Sequence, residues 1–197
     1  MTRVLGTRRL VLDAPRRSDI QTIFALCQDA EIRRWIPIAS PFALSDAEFF
    51  IDAYVPHGVV SGDYTTWAVR ERRHPHLIGV IELRRDVAPG SASFGCWMGS
   101  AHRGRGYARE ALLAVVDHAF SHEGLALTQL RWQGIRGNVA SARLARSMGF
   151  RLETNAATPF PFRGEERESW VAARTADEGS DPKPGWPEEY LNAVATV

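Results

Sequence analysis

Residues 91–119 read SASFGCWMGSAHRGRGYAREALLAVVDHA, an apolar strand that passes through an arginine- and glycine-rich turn straight into a long amphipathic helix. Ala108, Ala111, Leu112, Val115, Val116, Ala119 and Phe120 recur at helical spacing, so one face packs while Arg109, Glu110, Asp117, His118, Ser121 and His122 fall elsewhere. Gly124 is the expected C-cap, with His118 and His122 in the last turns, where positive charge suits the helix dipole. The helix N-terminus then points at Arg103-Gly104-Arg105-Gly106-Tyr107-Ala108, where small residues let a bound group come close and the first amides lack intrahelical partners. Such a turn suits an anion, and the two arginines fit a pyrophosphate.

The rest of the chain alternates in type around this unit. Leu10-Val11-Leu12 reads as a first strand ended by Pro15, and Ser18 or Asp19 caps a helix carrying Ile20, Ile23 and Phe24, with Cys27 or Ala30. Trp35-Ile36-Pro37 and Pro41-Phe42 interrupt it, and Ser45-Asp46-Ala47-Glu48 resembles a capping box for a short helix through Ile51 and Tyr54. Segments 64–71, 77–85 and 92–98 are β-branched or aromatic-rich with turn-like connections, which predicts an antiparallel meander. After the central helix come a strand at 127–133, a helix from the Asn138 cap through Met148 to Gly149, and two strands at 150–154 and 168–174, joined by a loop at 158–164. From Ala176 the chain turns polar and breaker-rich, a tail over 176–197 with a last turn at 187–193 and Trp186 as the residue able to dock it.

At 197 residues this is a single α+β domain, residues 1–175, followed by the tail. The net charge of +1 gives no electrostatic reason for a nucleic-acid or anionic-membrane partner. All basic residues but Lys183 are arginine, and the acidic ones balance them. Cys27 and Cys96, far apart, indicate neither a disulfide framework nor a zinc site, and a reduced, cytoplasmic setting is expected. The N-terminal apolar run is too short for a signal peptide, and there is no apolar stretch of membrane-spanning length. His118 and His122 stand one turn apart without a third ligand, so no metal is expected.

The glycine turn lacks both the full G-x-G-x-x-G fingerprint and the Walker Gly-Lys-Ser/Thr. Arg103-x-x-Gly106-x-Ala108 instead resembles the acetyl-CoA-binding turn of the GNAT acyltransferases. Arg9-Leu10-Val11-Leu12, Trp67-Ala68-Val69, Leu77-Ile78-Gly79-Val80-Ile81, Gly95-Cys96-Trp97-Met98-Gly99, Asn138-Val139-Ala140-Ser141 and Met148-Gly149-Phe150-Arg151 stand in the matching order. Together they resemble the RimJ/RimL branch, the ribosomal-protein N-terminal acetyltransferases and their relatives, over residues 8–175. The resemblance implies the GNAT fold, a mixed central sheet of about seven strands with helices on both faces. It implies an acetyl-CoA-dependent N-acetyltransferase acting on a primary amine, either a protein N-terminus or a small molecule. A homodimer is compatible with it, although no apolar stripe marks one.

On that resemblance, the amides of Gly104, Arg105, Gly106, Tyr107 and Ala108, with the arginines, would hold the pyrophosphate of acetyl-CoA. The strand carrying Cys96, Trp97 and Met98 would splay from the strand after the central helix and pair with the pantetheine arm, one N–H polarising the thioester carbonyl. Asn138 would contact pantetheine, and Ser141 would give the departing thiolate a proton; alternatively both merely cap the helix. Relatives often carry a glutamate on the strand before the turn, where this chain has Ser93-Phe94-Gly95-Cys96. Glu82, one strand earlier, is the candidate base, with a solvated pair to Arg84 as its other reading. A base is dispensable for an α-amine, whose pKa of about 8 leaves about a tenth of it neutral at pH 7. Trp35, Phe42, Tyr54 and the loop around Phe162 would line the acceptor site or else fill local core. Two further readings stay open: an acyl-CoA-binding sensor that lacks a base, and a nucleotide-binding protein using the same turn.

Overall fold

The computed structural model describes residues 2–153 and 158–188. Its centre is a sheet of nine strands. These are β1 (Leu5–Gly6), β2 (Leu10–Asp13), β3 (Tyr64–Glu71), β4 (His74–Arg85), β5 (Ser91–Met98), β6 (Gln129–Ile135), β7 (Arg151–Leu152), β8 (Pro159–Phe162) and β9 (Glu165–Thr175). The spatial order is β1-β2-β3-β4-β5-β6-β9-β7, with β8 as a hairpin on β9. Neighbours are antiparallel except β5 and β6, which run parallel. Seven of these strands were expected; the additions are the two-residue β1 and the four-residue β8. Pro159 and Pro161 make β8 read as loop, yet proline is tolerated on an edge strand whose N–H side faces out.

Helices cover both faces. On one side α5 (Tyr107–Phe120) and α6 (Val139–Ser147) bury Ala111, Leu112, Val115, Val116, Ala119, Ala142 and Ala145 against Leu10, Leu12, Trp67, Ile81, Leu130 and Trp132. On the other, α1 (Ile20–Leu26), α2 (Ala30–Trp35) and α3 (Leu44–Phe49) set Ile23, Ile32 and Ala47 on Ala68, Leu77 and Val80. The periodicity of the central helix thus names its packed face. The helix ends at Phe120, where Ser121 turns extended (φ −60°, ψ 138°), and not at Gly124. His118 is half-buried, edge-on to Trp67 at 6.2 Å, so it leaves the solvated face on which it was placed.

Three departures have local causes. The first helical region is two helices, because Asp29 caps α2 by accepting from the Glu31 and Ile32 amides. The second is one continuous run: α3, a π-helical stretch over Phe50–Tyr54, then α4 (Val55–Ser61). Pro56 lacks the N–H that an α-helical turn would need, and the wider turn absorbs the mismatch. Its cap is the Ala43 amide donating to Asp46 Oδ2 at 2.7 Å, which starts the helix ahead of the expected Ser45.

Arg70, almost fully buried on β3, ties α1 to the sheet. It donates to Asp13 Oδ1 (2.7 Å), to both Asp19 carboxylate oxygens (2.8 and 2.7 Å) and to the Pro75 carbonyl (2.9 Å). The polar segment after Thr175 returns to the body, where Trp186 is buried and donates to the Phe150 carbonyl at 3.1 Å. Residues 189–193 of the expected last turn, and Thr154 of the expected strand 150–154, lie outside the described residues.

Candidate active site

The parallel ladder between β5 and β6 runs only from Ser91↔Gln129 to Ser93↔Arg131. Beyond it the strands part, each still held on its outer edge by β4 or β9. The Gly99 amide donates to the Ile78 carbonyl at 2.9 Å, and the β4–β5 register runs without a shift. Backbone direction alternates, so Gly95 and Trp97 turn their polar groups to β4, while Phe94, Cys96 and Met98 turn theirs into the gap. A wedge of strand-like backbone groups therefore stands ready for an extended ligand arm.

The arginine–glycine turn follows at the mouth of this wedge. Gly104 and Gly106 adopt φ of 72° and 75°, the left-handed region that glycine enters without a Cβ penalty. A Cβ on Gly104 would meet no atom within 4 Å, so the turn's surface is open. Glu110 closes the first turn of α5 by donating its amide to the Gly106 carbonyl at 3.1 Å. The amides of Tyr107, Ala108 and Arg109 precede it and have no helical acceptor. The geometry fits a pyrophosphate: open, amide-lined, and at the positive end of a helix dipole.

The arginines divide their work. Arg103 donates Nε to the Met98 carbonyl at 2.9 Å and pairs with Asp29 at 3.0 Å, so it anchors the turn to β5 and α2. Arg105 is exposed. The turn is also pinned by Arg9, just before β2, which sequence reasoning passed over as an anchor. Arg9 donates Nε to Glu110 Oε2 (2.5 Å) and Nη1 to the Arg105 carbonyl (3.0 Å), and its guanidinium lies 4.5 Å from the Tyr107 ring centroid. Thr7 Oγ1 and the Arg9 amide bind Glu110 Oε1 at 2.5 and 2.9 Å. Only the run Arg9-Leu10-Val11-Leu12 hinted at this; its partner lies about a hundred residues away, beyond any local pattern.

On the first turn of α6, Asn138 Oδ1 accepts from the Ser141 amide at 3.1 Å, which is a helix cap. The Ser141 hydroxyl accepts from the Trp132 indole N–H at 2.9 Å. An indole N–H only donates, so the serine proton is directed elsewhere. The capping reading of Asn138-x-x-Ser141 is thus observed, and the Ser141 hydroxyl keeps its own proton free of Trp132.

Glu82 stands on β4 opposite Gly95, diagonal to Ser93, so it occupies the same face as the absent family carboxylate. Gly95 is exposed and a Cβ there would meet nothing within 4 Å, leaving open space beside Glu82. The carboxylate accepts from Tyr54 Oη (3.0 and 2.8 Å), Arg84 Nη2 (2.9 Å) and Thr66 Oγ1 (3.3 Å). Burial, then the Glu82 charge, push the Tyr54 phenol pKa up, so it stays protonated and donating. The expected pairing with Arg84 is present, inside a network that the π-helical stretch completes by presenting Tyr54.

Of the expected acceptor aromatics, Phe42 and Phe162 are buried, Phe42 in the core beneath α1–α3, so neither offers an open wall. Trp35 is half-buried; a Cβ on Gly137 would come within 3.7 Å of its ring, which places Trp35 beside the loop leading into α6. Arg163, at the tip of the β8–β9 hairpin with φ of 53°, donates to the Ile38 carbonyl at 2.8 Å and to the Arg33 carbonyl. It latches that hairpin to α2 and the segment after it. Trp97 is half-buried on the α1–α3 side. Cys96 is half-buried, and burial raises its thiol pKa to about 12, which suits packing and not nucleophilic attack. Among the described residues no group of three or more His, Cys, Asp and Glu is placed to hold a metal ion, and no helix is long and apolar enough to cross a membrane.

Residues 9–151 match the family described as Acetyltransferase (GNAT) domain. Among solved structures, a Vibrio cholerae protein assigned as a ribosomal-protein-serine acetyltransferase is 27% identical, with a TM-score of 0.78 over 89% of this chain and 99% of that one. Mycobacterium smegmatis RimJ, in complex with CoA-disulfide, is 19% identical at a TM-score of 0.77, covering 89% of this chain and 88% of its own. RimL, a ribosomal alpha-N-protein acetyltransferase in complex with coenzyme A, is 16% identical at 0.76, covering 88% and 98%. The chain belongs to the GNAT acetyltransferase family.

Proposed function

We propose that this GNAT acetyltransferase binds acetyl-CoA across the wedge and passes the acetyl group directly to an α-amine, that of a peptide or protein N-terminus. The observation that carries the reading is the parting of β5 from β6 with the open amide turn at its mouth. The Gly104–Ala108 amides hold the pyrophosphate, the gap-facing groups of β5 pair with the pantetheine arm, and the Cys96 or Met98 N–H takes the charge that builds on the thioester oxygen. Asn138 stands beside the arm, and Ser141 gives its proton to the departing sulfur. Trp35 is the remaining wall of the acceptor site.

The amine enters over Gly95, beside Glu82. Glu82 attracts and orients it, its oxygens already accepting from Tyr54, Thr66 and Arg84. Such a site favours an amine that is partly neutral without help. An α-amine with pKa near about 8 qualifies, whereas an ε-amine near about 10.4 does not. The domain spans 1–175, in a cytoplasmic setting where Cys27 and Cys96 stay reduced.

The test is thiol release from acetyl-CoA with peptides bearing free N-termini, N-blocked lysine peptides, polyamines and aminoglycosides. Turnover is expected with free N-termini, and Gly106→Glu, which places a negative charge in the open turn, should weaken acetyl-CoA binding about tenfold or more. Turnover confined to polyamines or aminoglycosides would overturn the acceptor. Tight acetyl-CoA binding with no release for any amine would favour a sensor, and no binding would sink the cosubstrate.

A further inference from the structure

We propose that Trp132 is a positioning residue for Ser141, and that the C-terminal segment, through Trp186, holds Trp132 in place. The inference rests on the reading of Ser141 as the proton donor. Three observations converge on it. First, the buried Trp132 indole spends its one N–H on the Ser141 hydroxyl at 2.9 Å, while Asn138 separately fixes the Ser141 amide at 3.1 Å. Main chain and side chain of the serine are thus held from two directions, and its proton is turned outward. Second, Gly134 lies two residues further along β6, where a Cβ would fall 2.2 Å from Trp132 Cζ2 and 3.0 Å from Cε2. Any larger residue there would displace the ring that reaches Ser141. Third, Trp186 lies with its ring centroid 5.7 Å from that of Trp132, and its indole is itself fastened to the Phe150 carbonyl at 3.1 Å. The segment is tied down by Glu178, which accepts from Arg151 Nη2 and the Thr175 amide, both at 3.1 Å. Trp186 stands outside the family match, so this chain reinforces a serine of the acetyltransferase domain with a residue of its own tail.

The amine nitrogen bonds to the acetyl carbon; as the carbon–sulfur bond breaks, its electron pair goes to sulfur and the Ser141 O–H proton follows. Negative charge builds on Oγ, the Trp132 N–H strengthens against it, and a water then returns a proton to Oγ. The excess proton on the amine nitrogen leaves to solvent. Trp132 therefore acts on the proton-transfer step and not on acetyl-CoA binding.

The experiment is a mutant cycle on the full chain, reading kcat and KM for acetyl-CoA. Ser141→Ala should lower kcat about tenfold or more. Trp132→Phe keeps the bulk and deletes the N–H; it should lower kcat roughly tenfold with KM for acetyl-CoA within about twofold, an effect that vanishes in the Ser141→Ala background. Trp186→Ala should lower kcat in the same way, again only when Ser141 is present, and Trp186→Phe should restore most of it. Wild-type kcat in Trp132→Phe, or an equal loss in the Ser141→Ala background, would overturn the positioning role while leaving the serine reading intact. Full activity of Ser141→Ala would overturn both. If Trp132→Phe fails to fold, the Trp186 pair decides alone: equal losses with and without Ser141 contradict the proposal.

Discussion

Glu110 shows how much of the site depends on one side chain that binds no ligand. Burial pushes its pKa up, but the hydrogen bonds from Thr7, from the Arg9 amide and from the Arg9 guanidinium outweigh that and hold it below the ordinary 4.5. A depressed folded value means the stabilisation is complete above about 4.5 and is lost as pH falls through the lower folded value. Glu110→Gln is expected to lose about 1–2 kcal/mol at pH 7, with the gap to the wild type closing in acid, as thermal melts across pH would read. It should also raise KM for acetyl-CoA with kcat kept, because it frees the turn and leaves the chemistry alone. A gap that persists at low pH would assign the effect to another group. The buried Arg70 makes the same point for the fold. Asp19→Ala leaves its guanidinium half-paired and is expected to cost about 3–5 kcal/mol in denaturant unfolding. A cost under about 1 kcal/mol would place the pair among ordinary surface bridges. Neither network was visible in the sequence, since only the fold brings Glu110 to Arg9, and Asp13 and Asp19 to Arg70.

Periodicity decided most of the elements. The apolar stripe of α5 names the residues it buries, and β3 spans the residues its pattern predicts. What escaped has a chemical reason each time. Prolines hid β8, and Pro56 disguised a single helix with a π-helical stretch as something shorter. For Phe42 and Phe162 the sequence left acceptor wall and local core both open, and burial decides for the core, because it depends on neighbours the local pattern does not contain. The hairpin latch is likewise non-local. Arg163→Ala frees the β8–β9 tip from the Arg33 and Ile38 carbonyls and is expected to raise KM for the acceptor severalfold, with KM for acetyl-CoA unchanged. A rise in the acetyl-CoA term instead would place the latch on the other side of the site.

For the molecule as a whole, the decisive feature is one parallel pairing in an otherwise antiparallel sheet. The crossover through α5 lays β6 beside β5 and carries the amide turn to the point where the two diverge. The strand–turn–helix sequence made the turn legible, and the resemblance supplied the wedge; the tail's return through Trp186 was no more than an option in the sequence. On the proposal that donor and amine meet in that wedge, transfer is expected to be direct, with Cys96 kept inert by burial. Following acetyl-CoA labelled in its acetyl group tests this most directly. The account predicts label on a peptide α-amine in step with thiol release, and none on the protein after denaturation. Label retained on the chain, or thiol release without labelled peptide, would contradict it.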